Sequence, residues 1–119
     1  MSEAINILET IEHIVKRDAR YEIDAYNFVL QALNYTVSKL KKSRHVTGRE
    51  LLEGIRQYVK EQFGPMARTV LEHWGINFTE DFGNIVFNLV DAKILSKTEE
   101  DSIEDFKDGY NFKEAFGEK

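Results

Sequence analysis

Apolar residues recur at helical spacing through most of the chain. The first stripe predicts an amphipathic helix at 3–17, with Ser2 as a candidate N-cap. The second stripe starts behind Asp24, also a candidate cap, and continues over three turns through Phe28, Val29, Ala32, Leu33, Thr36, Val37 and Leu40. It is the strongest periodic signal in the sequence. Together the two stripes predict a pair of helices in the first 45 residues.

Three further helices are predicted in the middle of the chain, at 47–63, 65–74 and 80–92. Thr47 and Glu50 have the spacing of a capping box, in which each side chain bonds a free amide at the helix start. Gly64 and Pro65 are expected to end the first of these helices, and Thr79 to cap the last. The succession of helix, turn and helix is typical of a helix-turn-helix motif.

The apolar pattern changes after Ala92. Residues 94–97 are too short for a helix and favour a strand, which residues 110–112 would join as an antiparallel β-hairpin. Residues 102–107 can equally form a helical turn. The predicted fold class is therefore mainly α, with about five helices and a C-terminal β-hairpin, so that the second half is winged-helix-like.

The composition fits one globular domain over 1–119, with an N-terminal helical pair (1–45) and a winged-helix-like part (46–116). The 119 residues are 42% hydrophobic and 12% aromatic, which excludes intrinsic disorder of the whole chain. The absence of cysteine excludes disulfides and thiolate metal sites. No apolar run reaches the ~20 residues of a membrane span, and three glutamates interrupt the first apolar stretch. We therefore expect a cytoplasmic protein that does not enter the membrane.

The net charge of −5 is unevenly distributed. Residues 1–60 hold ten Lys and Arg against eight Asp and Glu, whereas residues 61–119 hold six against thirteen. No acid lies between Asp24 and Glu50, and six acids crowd residues 99–108. Such polarity can steer a partner or orient self-association, and it is equally what charge clustering on a solvated surface produces.

The predicted helix 80–92 is unsuited to reading DNA. In a helix-turn-helix the second helix enters the major groove, where phosphates supply one negative charge per ~1.7 Å of duplex. The polar side chains that this helix would present are acids and amides: Glu80, Asp81, Asn84, Asn88 and Asp91. Because the carboxylates have the wrong sign of charge, DNA is not an expected partner.

Seven residues around the turn between the second and third helices are candidates for contact with a protein partner or with RNA: Tyr35, Lys39, Lys41, Lys42, Arg44, Arg49 and Arg56. An aromatic ring beside cations is a common way to hold single-stranded RNA. The same cations would also complement the dipole at the end of a helix. Arg56 is expected either to contact a partner or to form a structural ion pair with Glu53, Glu80 or Asp81.

The sequence offers no catalytic constellation. The three histidines, at 13, 45 and 73, stand singly without metal-ligand spacing, and no phosphate loop, dinucleotide glycine motif or nucleophile elbow is present. We therefore predict no metal, no cofactor and no enzyme activity. The expected function is a non-enzymatic protein-interaction or regulatory module that binds a protein partner or a second copy of itself. RNA binding through the 39–56 surface is the alternative.

Several longer phrases carry a resemblance to a known family. They are DAYNFV at 24–29, VTGRELLEGIR at 46–56, FGPMA at 63–67 and TEDFGNIVFNLV at 79–90. With these phrases the chain resembles, from about Ile7 to Phe116, a small bacterial family of cytosolic proteins of unknown function. The resemblance implies a short bacterial protein and brings no catalytic residues with it.

Overall fold

The computed structural model describes residues 6–42 and 44–117. Every secondary-structure element among these residues is a helix, and the connections between them are turns and irregular segments. Short 3₁₀ turns occupy Gly64–Met66 and Ile103–Phe106. The helices are α1 (Ile7–Arg17), α2 (Ile23–Ser38), α3 (Gly48–Phe63), α4 (Ala67–His73), α5 (Thr79–Asp91) and α6 (Phe112–Phe116). No helix among the described residues is both long enough and apolar enough to cross a membrane. The prediction of a mainly α protein is confirmed.

The starts of α1 and α2 differ from the caps that the sequence suggested. Asn6 caps α1, because its Oδ1 accepts the Glu9 amide at 3.0 Å, and Ser2 lies outside the described residues. Helix α2 begins at Ile23, so that Asp24 stands in its first turn and not at its cap. The carboxylate still lies near the positive end of the helix dipole, where it is favourable.

The core lies where α2 crosses α3, with α5 packed on α2. Gly54 marks the crossing, because a Cβ added there would stand 1.8 Å from the Thr36 hydroxyl oxygen. The Thr36 hydroxyl donates to the carbonyl of Ala32, one turn earlier in α2, so this buried polar group has a partner. Apolar side chains from all three helices meet in one buried cluster that includes Val29, Ala32, Leu51, Ile55, Ile85 and Leu89.

The predicted boundaries of α3 are confirmed. Thr47 Oγ1 accepts the Glu50 amide at 3.1 Å, and Glu50 Oε1 accepts the Thr47 amide at 3.0 Å, which completes the capping box. The helix ends at Phe63, directly before Gly64.

Helix α5 is capped by Asp81 and not by Thr79 as predicted. Asp81 Oδ2 accepts the amides of Asn77 and Phe78, at 2.8 and 3.1 Å. The Thr79 hydroxyl instead donates to the carbonyl of Phe106 at 2.6 Å. Thr79 therefore joins α5 to the C-terminal part of the chain.

The predicted C-terminal β-hairpin is wrong, because residues 94–112 contain no strand. The amides of Ile94 and Leu95 bond back to the carbonyl of Leu89, so they prolong the last turn of α5 and are not free for a strand ladder. On the other side, the Tyr110 hydroxyl donates to the carbonyl of Leu52, and Phe112 is buried against Phe82. With no wing, the winged-helix-like assignment of residues 46–116 is wrong as well.

In place of a hairpin, an acidic segment (residues 98–108) crosses α3 and α5 and is held there by Phe106. The Phe106 side chain is 2% exposed and lies against Gly48 at the start of α3 and Gly83 in α5. A Cβ at Gly48 would stand 2.8 Å from Asp105 Cβ, and one at Gly83 would stand 2.8 Å from Phe106 Cβ. The two glycines thus let the segment approach both helices closely. The alternative of a helical turn in 102–107 agrees with the 3₁₀ turn there.

Candidate functional site

The seven residues predicted to contact a partner do not share one surface. Arg49 and Arg56 are seven residues apart in α3 and so lie on one side of it. Tyr58 follows Arg56 by two residues, which is about 200° around the helix, and its ring contacts Tyr35 of α2 at a centroid distance of 5.0 Å. Arg49 and Arg56 are therefore separated by α3 from the residues at the end of α2: Tyr35, Lys39, Lys41 and Lys42.

The arginines of this set lie beside carboxylates. Arg44 donates to both oxygens of Glu50, at 2.9 and 2.6 Å, and these bonds help to lower the Glu50 pKa to about 2. Arg56 makes the same forked contact with Glu53, at 3.0 and 2.5 Å, which confirms one of its predicted pairings. Arg49 lines an open concavity together with Glu99, Glu100, Asp101 and Asp105. Part of the basic charge is therefore compensated within the molecule.

What remains is a small basic edge, formed by Lys39, Lys41 and Lys42. Lys39 Nζ lies 4.9 Å from the centroid of the Tyr35 ring, and the Tyr35 hydroxyl donates to Glu61. Lys41 and Lys42 are exposed and make no hydrogen bond or ion pair with residues 6–42 or 44–117. These two ammonium groups are available to a partner.

The face of α5 that would have read DNA is covered by the α1–α2 connection. Tyr21 is 2% exposed and donates to Asp81 Oδ1 at 2.6 Å, while Asn84 Nδ2 donates to the Tyr21 hydroxyl at 2.9 Å. One turn on, Asn88 Nδ2 donates to Asp18 Oδ2 and to the Tyr26 hydroxyl, both at 3.0 Å. The polar row on α5 therefore serves to hold the chain before α2.

Two pKa shifts reflect this network. The hydrogen bonds from Arg20 hold the pKa of Asp18 well below its usual range. Burial and the bond to Asp81 raise the pKa of Tyr21. At neutral pH Asp18 is therefore ionised and Tyr21 is protonated, the two states that these hydrogen bonds require.

An open apolar cavity of about 220 Å³ lies between the end of α2, the start of α3, the second half of α5 and residues 95–106. Its apolar wall includes Leu33, Val37, Val86, Phe87, Val90 and Leu95. Val37, Val90 and Leu95 are only half-buried, so they present apolar surface at the opening. The cavity is therefore suited to an apolar group that enters from the surface.

Several polar groups at the rim of the cavity have hydrogen-bond partners within the molecule. His45 Nε2 lies 2.6 Å from Asp101 Oδ2, and this contact joins the connection between α2 and α3 to the acidic segment. Burial raises the pKa of Asp101, but the bonds from the Thr98 amide and from His45 outweigh it and lower the pKa overall. The Ser102 hydroxyl accepts the Glu104 amide at 3.1 Å. Because these groups have partners, the cavity offers a guest mainly its apolar wall.

A second, shallower concavity lies at the other end of α5. Phe78, Glu80 and Asp108 line it together with Arg68 and Lys113. It is open and its wall is as polar as it is apolar. The Phe78 side chain stands at its border with 66% of its surface exposed.

The described residues contain no cluster of three or more histidines and carboxylates with the geometry of a metal site. His45 bonds Asp101, whereas His13 and His73 are exposed on α1 and α4. The histidines are thus distributed over separate elements.

Comparison with known proteins adds no assignment, since no family model, no curated protein and no solved structure matches the chain. The resemblance to a bacterial family stays a prediction.

The cavity itself was missed by sequence reasoning. Val37 and Val90 belong to apolar stripes that predicted only core positions, and Leu95 belonged to the predicted strand. The three meet because α2 packs on α5 and because Leu95 is held against the end of α5 by its bond to the Leu89 carbonyl. The acidic segment then closes another side of the cavity. No local signal in the sequence marks that return.

Proposed function

We propose that the protein is an interaction module that binds a protein partner by taking one apolar side chain of that partner into the cavity. The observation that carries this proposal is the cavity beside α2 and α5, which is open, has an apolar wall and measures about 220 Å³. An apolar anchor in a desolvated pocket is the usual source of affinity in protein recognition.

The volume favours a side chain over a metabolite. Pockets for drug-sized ligands span about 300 to 1,000 Å³. An apolar cavity of about 150 Å³ already accommodates a benzene molecule. A space of 220 Å³ is therefore matched to a single leucine, methionine or phenylalanine side chain.

The rim supports the same proposal through its charges. The pairs Arg44–Glu50 and His45–Asp101 border the opening and are held in place by their own hydrogen bonds. Lys41 and Lys42 lie just before them in the chain. Charges at the border of an interface set its orientation and rate of association more than its strength.

An NMR titration with single-residue probes tests the proposal. We expect N-acetyl-leucinamide and N-acetyl-phenylalaninamide to shift the amide resonances of Val37, Val90 and Leu95 in fast exchange, and N-acetyl-glycinamide to leave them unchanged. Val90→Trp should fill the cavity and abolish the response. Val70→Trp is the matched control, because Val70 is also half-buried but lies in α4 away from the cavity.

A displayed library of random peptides then tests the choice of partner. The peptides selected should share one apolar anchor residue and should lose binding to the Val90→Trp protein but not to the Val70→Trp protein. Equal shifts over the whole surface, or full binding by the Val90→Trp protein, would overturn the proposal.

A second candidate function is RNA binding at the basic edge, favoured by the free ammonium groups of Lys41 and Lys42 beside the Lys39–Tyr35 pair. It ranks below the first because Arg44 and Arg56 are engaged by carboxylates. A labelled single-stranded uridine oligonucleotide of about ten nucleotides tests it by fluorescence anisotropy. Salt-sensitive binding that is lost in K41E/K42E and kept in K107E would support it, and no binding at low salt would exclude it.

A further inference from the structure

Phe78 is the most exposed large apolar side chain of the described residues. It is 66% exposed, compared with 56% for Leu8 and 55% for Met66. Aromatic side chains are enriched at the centres of protein interfaces. The core of the molecule leaves this ring in water, so burying it requires another surface.

The ring is carried on a rigid part of the fold. The Phe78 amide donates to Asp81 Oδ2 at 3.1 Å, and the buried Tyr21 hydroxyl fixes the other carboxylate oxygen of Asp81. The backbone before α5 is thereby held in place. A side chain that is presented from a fixed backbone loses little conformational freedom on binding.

The cavity of the same molecule is out of reach of this ring. Phe78 precedes the first turn of α5, whereas Val90 lines the cavity beside the last turn. Twelve residues of helix separate the two by about 18 Å. One end of α5 thus carries an exposed aromatic side chain, and a cavity of matching size lies beside the other end. These are the two parts of a head-to-tail contact.

We propose that the Phe78 side chain of one molecule occupies the cavity of a second copy of this chain. The proposal rests on the proposed function of the cavity and names its occupant. The contact is heterologous, because a different surface of each copy takes part, so a dimer leaves one ring and one cavity free.

Both surfaces carry charges of both signs. Around Phe78, Glu80 and Asp108 are acidic, while Arg68 and Lys113 are basic. Arg44 and Lys97 line the cavity together with Asp101 and Asp105. An orientation about the Phe78 side chain that sets the carboxylates of one copy against the cations of the other is therefore favoured.

Analytical ultracentrifugation over a concentration series tests the proposal. We expect the average mass of the unaltered protein to rise with concentration, with a dissociation constant of about 0.1 to 1 mM. Phe78→Ser removes the ring and Val90→Trp fills the cavity, so each variant alone should remain a monomer. A 1:1 mixture of the two should form a dimer and nothing larger, because only one productive contact is left between them.

Met66→Ser is the matched control, since it removes another exposed apolar side chain and should leave the association unchanged. Circular dichroism melts verify that each variant folds. A monomer at every concentration, or a mixture of F78S and V90W that fails to dimerise, would overturn the self-association.

The probe titration distinguishes the two proposals. If N-acetyl-phenylalaninamide binds the cavity while the protein stays monomeric, the cavity keeps its proposed function and only the second copy is excluded as occupant. If the probe does not bind, the proposed function itself is wrong, and so is the self-association through the cavity.

Discussion

At the scale of single residues, the polar side chains of α5 have a structural role, because they bond the chain that leads into α2. Tyr21 is buried and has hydrogen bonds to both Asp81 and Asn84. Among the described residues, no buried side-chain nitrogen or oxygen lacks a partner. Removing one member would therefore leave its neighbours unsatisfied, which costs more than the bond itself contributes.

Tyr21→Phe should lower the free energy of unfolding by about 2 kcal/mol, because Asp81 loses a donor and Asn84 an acceptor in a buried position. Urea unfolding followed by circular dichroism measures the change. Tyr35→Phe is the control: its hydroxyl also bonds a carboxylate but at the surface, so we expect a change within about 0.5 kcal/mol. Equal effects of the two substitutions would contradict a structural role for the network.

Gly54→Ala should destabilise the protein although it improves helix propensity. Alanine in place of glycine inside a helix stabilises by about 0.5 to 1 kcal/mol on propensity alone. Here the new methyl group would stand 1.8 Å from Thr36 Oγ1, so we expect a net loss of about 1 to 3 kcal/mol in urea unfolding. A stabilised variant would show that α2 and α3 do not cross so closely.

Some of these residue-level features follow from the sequence and others do not. The capping box of Thr47 and Glu50 was predictable, because both partners lie within one turn of helix. The role of Thr79 was not, since its partner Phe106 is 27 residues away and nothing near Thr79 indicates that contact. Asn84 and Asn88 stood out as polar positions in an apolar pattern, but their partners also come from a distant segment.

At the scale of elements, the acidic segment 98–108 is part of the core in spite of its composition. Glu99, Glu100, Glu104 and Asp108 are exposed, while Phe106 is 2% exposed between α3 and α5. The Thr79 hydroxyl donates to the Phe106 carbonyl and accepts the Gly109 amide, and these two bonds hold the end of the segment. The segment also forms one wall of the cavity.

Phe106→Ala should therefore destabilise the protein by about 3 to 5 kcal/mol, as expected for a buried aromatic side chain. Ile103→Ala in the same 3₁₀ turn is the control, because Ile103 is 42% exposed and should cost about 1 kcal/mol or less. Thermal unfolding of both variants makes the comparison. Similar small losses would mean that the segment does not pack as described.

The five periodic segments, of which 65–74 is short, were recognised because helices repeat every 3.6 residues, and their bounds agree with the structure to within a few residues. The hairpin prediction failed at Ile94 and Leu95, since two apolar residues after a helix fit a strand as well as a last helical turn. Only the tertiary position of Leu89 and Phe106 decides between them.

At the scale of the whole molecule, the uneven charge of the sequence is partly compensated in space. The acidic segment lies beside the start of α3, where His45 contacts Asp101 and Arg49 shares a concavity with four acids. The basic and acidic parts of the chain are therefore neighbours and not opposite poles. Of the basic surface predicted from the sequence, only the basic edge at the end of α2 remains.

Stability should fall in acid, since the pKa values of Asp18, Glu50, Glu53 and Asp101 are lowered in the folded protein. Their stabilising effect is complete above the unfolded pKa of about 4 and is lost as pH falls through the lowered values. We expect the melting temperature to drop by about 5 to 10 °C between pH 5 and pH 2.5. Glu50→Gln should flatten this dependence, and an unchanged profile would contradict the folded-state pairing with Arg44.

The candidate site illustrates what a single sequence leaves open. Lys39, Lys41 and Lys42 of the basic edge could be identified from the sequence, because a lysine carries its charge in any fold. The cavity requires that segments up to 70 residues apart meet, as Leu33 and Ser102 do at its wall. These segments come together because residues 105 and 106 pack closely on Gly48 and Gly83. The spacing of residues in the sequence does not predict this packing.

The fastening of residues 98–110 across the molecule also bears on how the chain folds. His45 bonds Asp101 and Tyr110 bonds Leu52 over sequence separations of 56 and 58 residues, whereas α2 and α3 meet through a short connection. Contacts of long separation close large loops and form late. The contacts of α5 with the chain before α2 and with α2 itself span 62 to 70 residues. We infer that α2 and α3 pack first and that α5 and the C-terminal segment join them later. The cavity then forms only after both α5 and residues 95–106 have docked on α2 and α3.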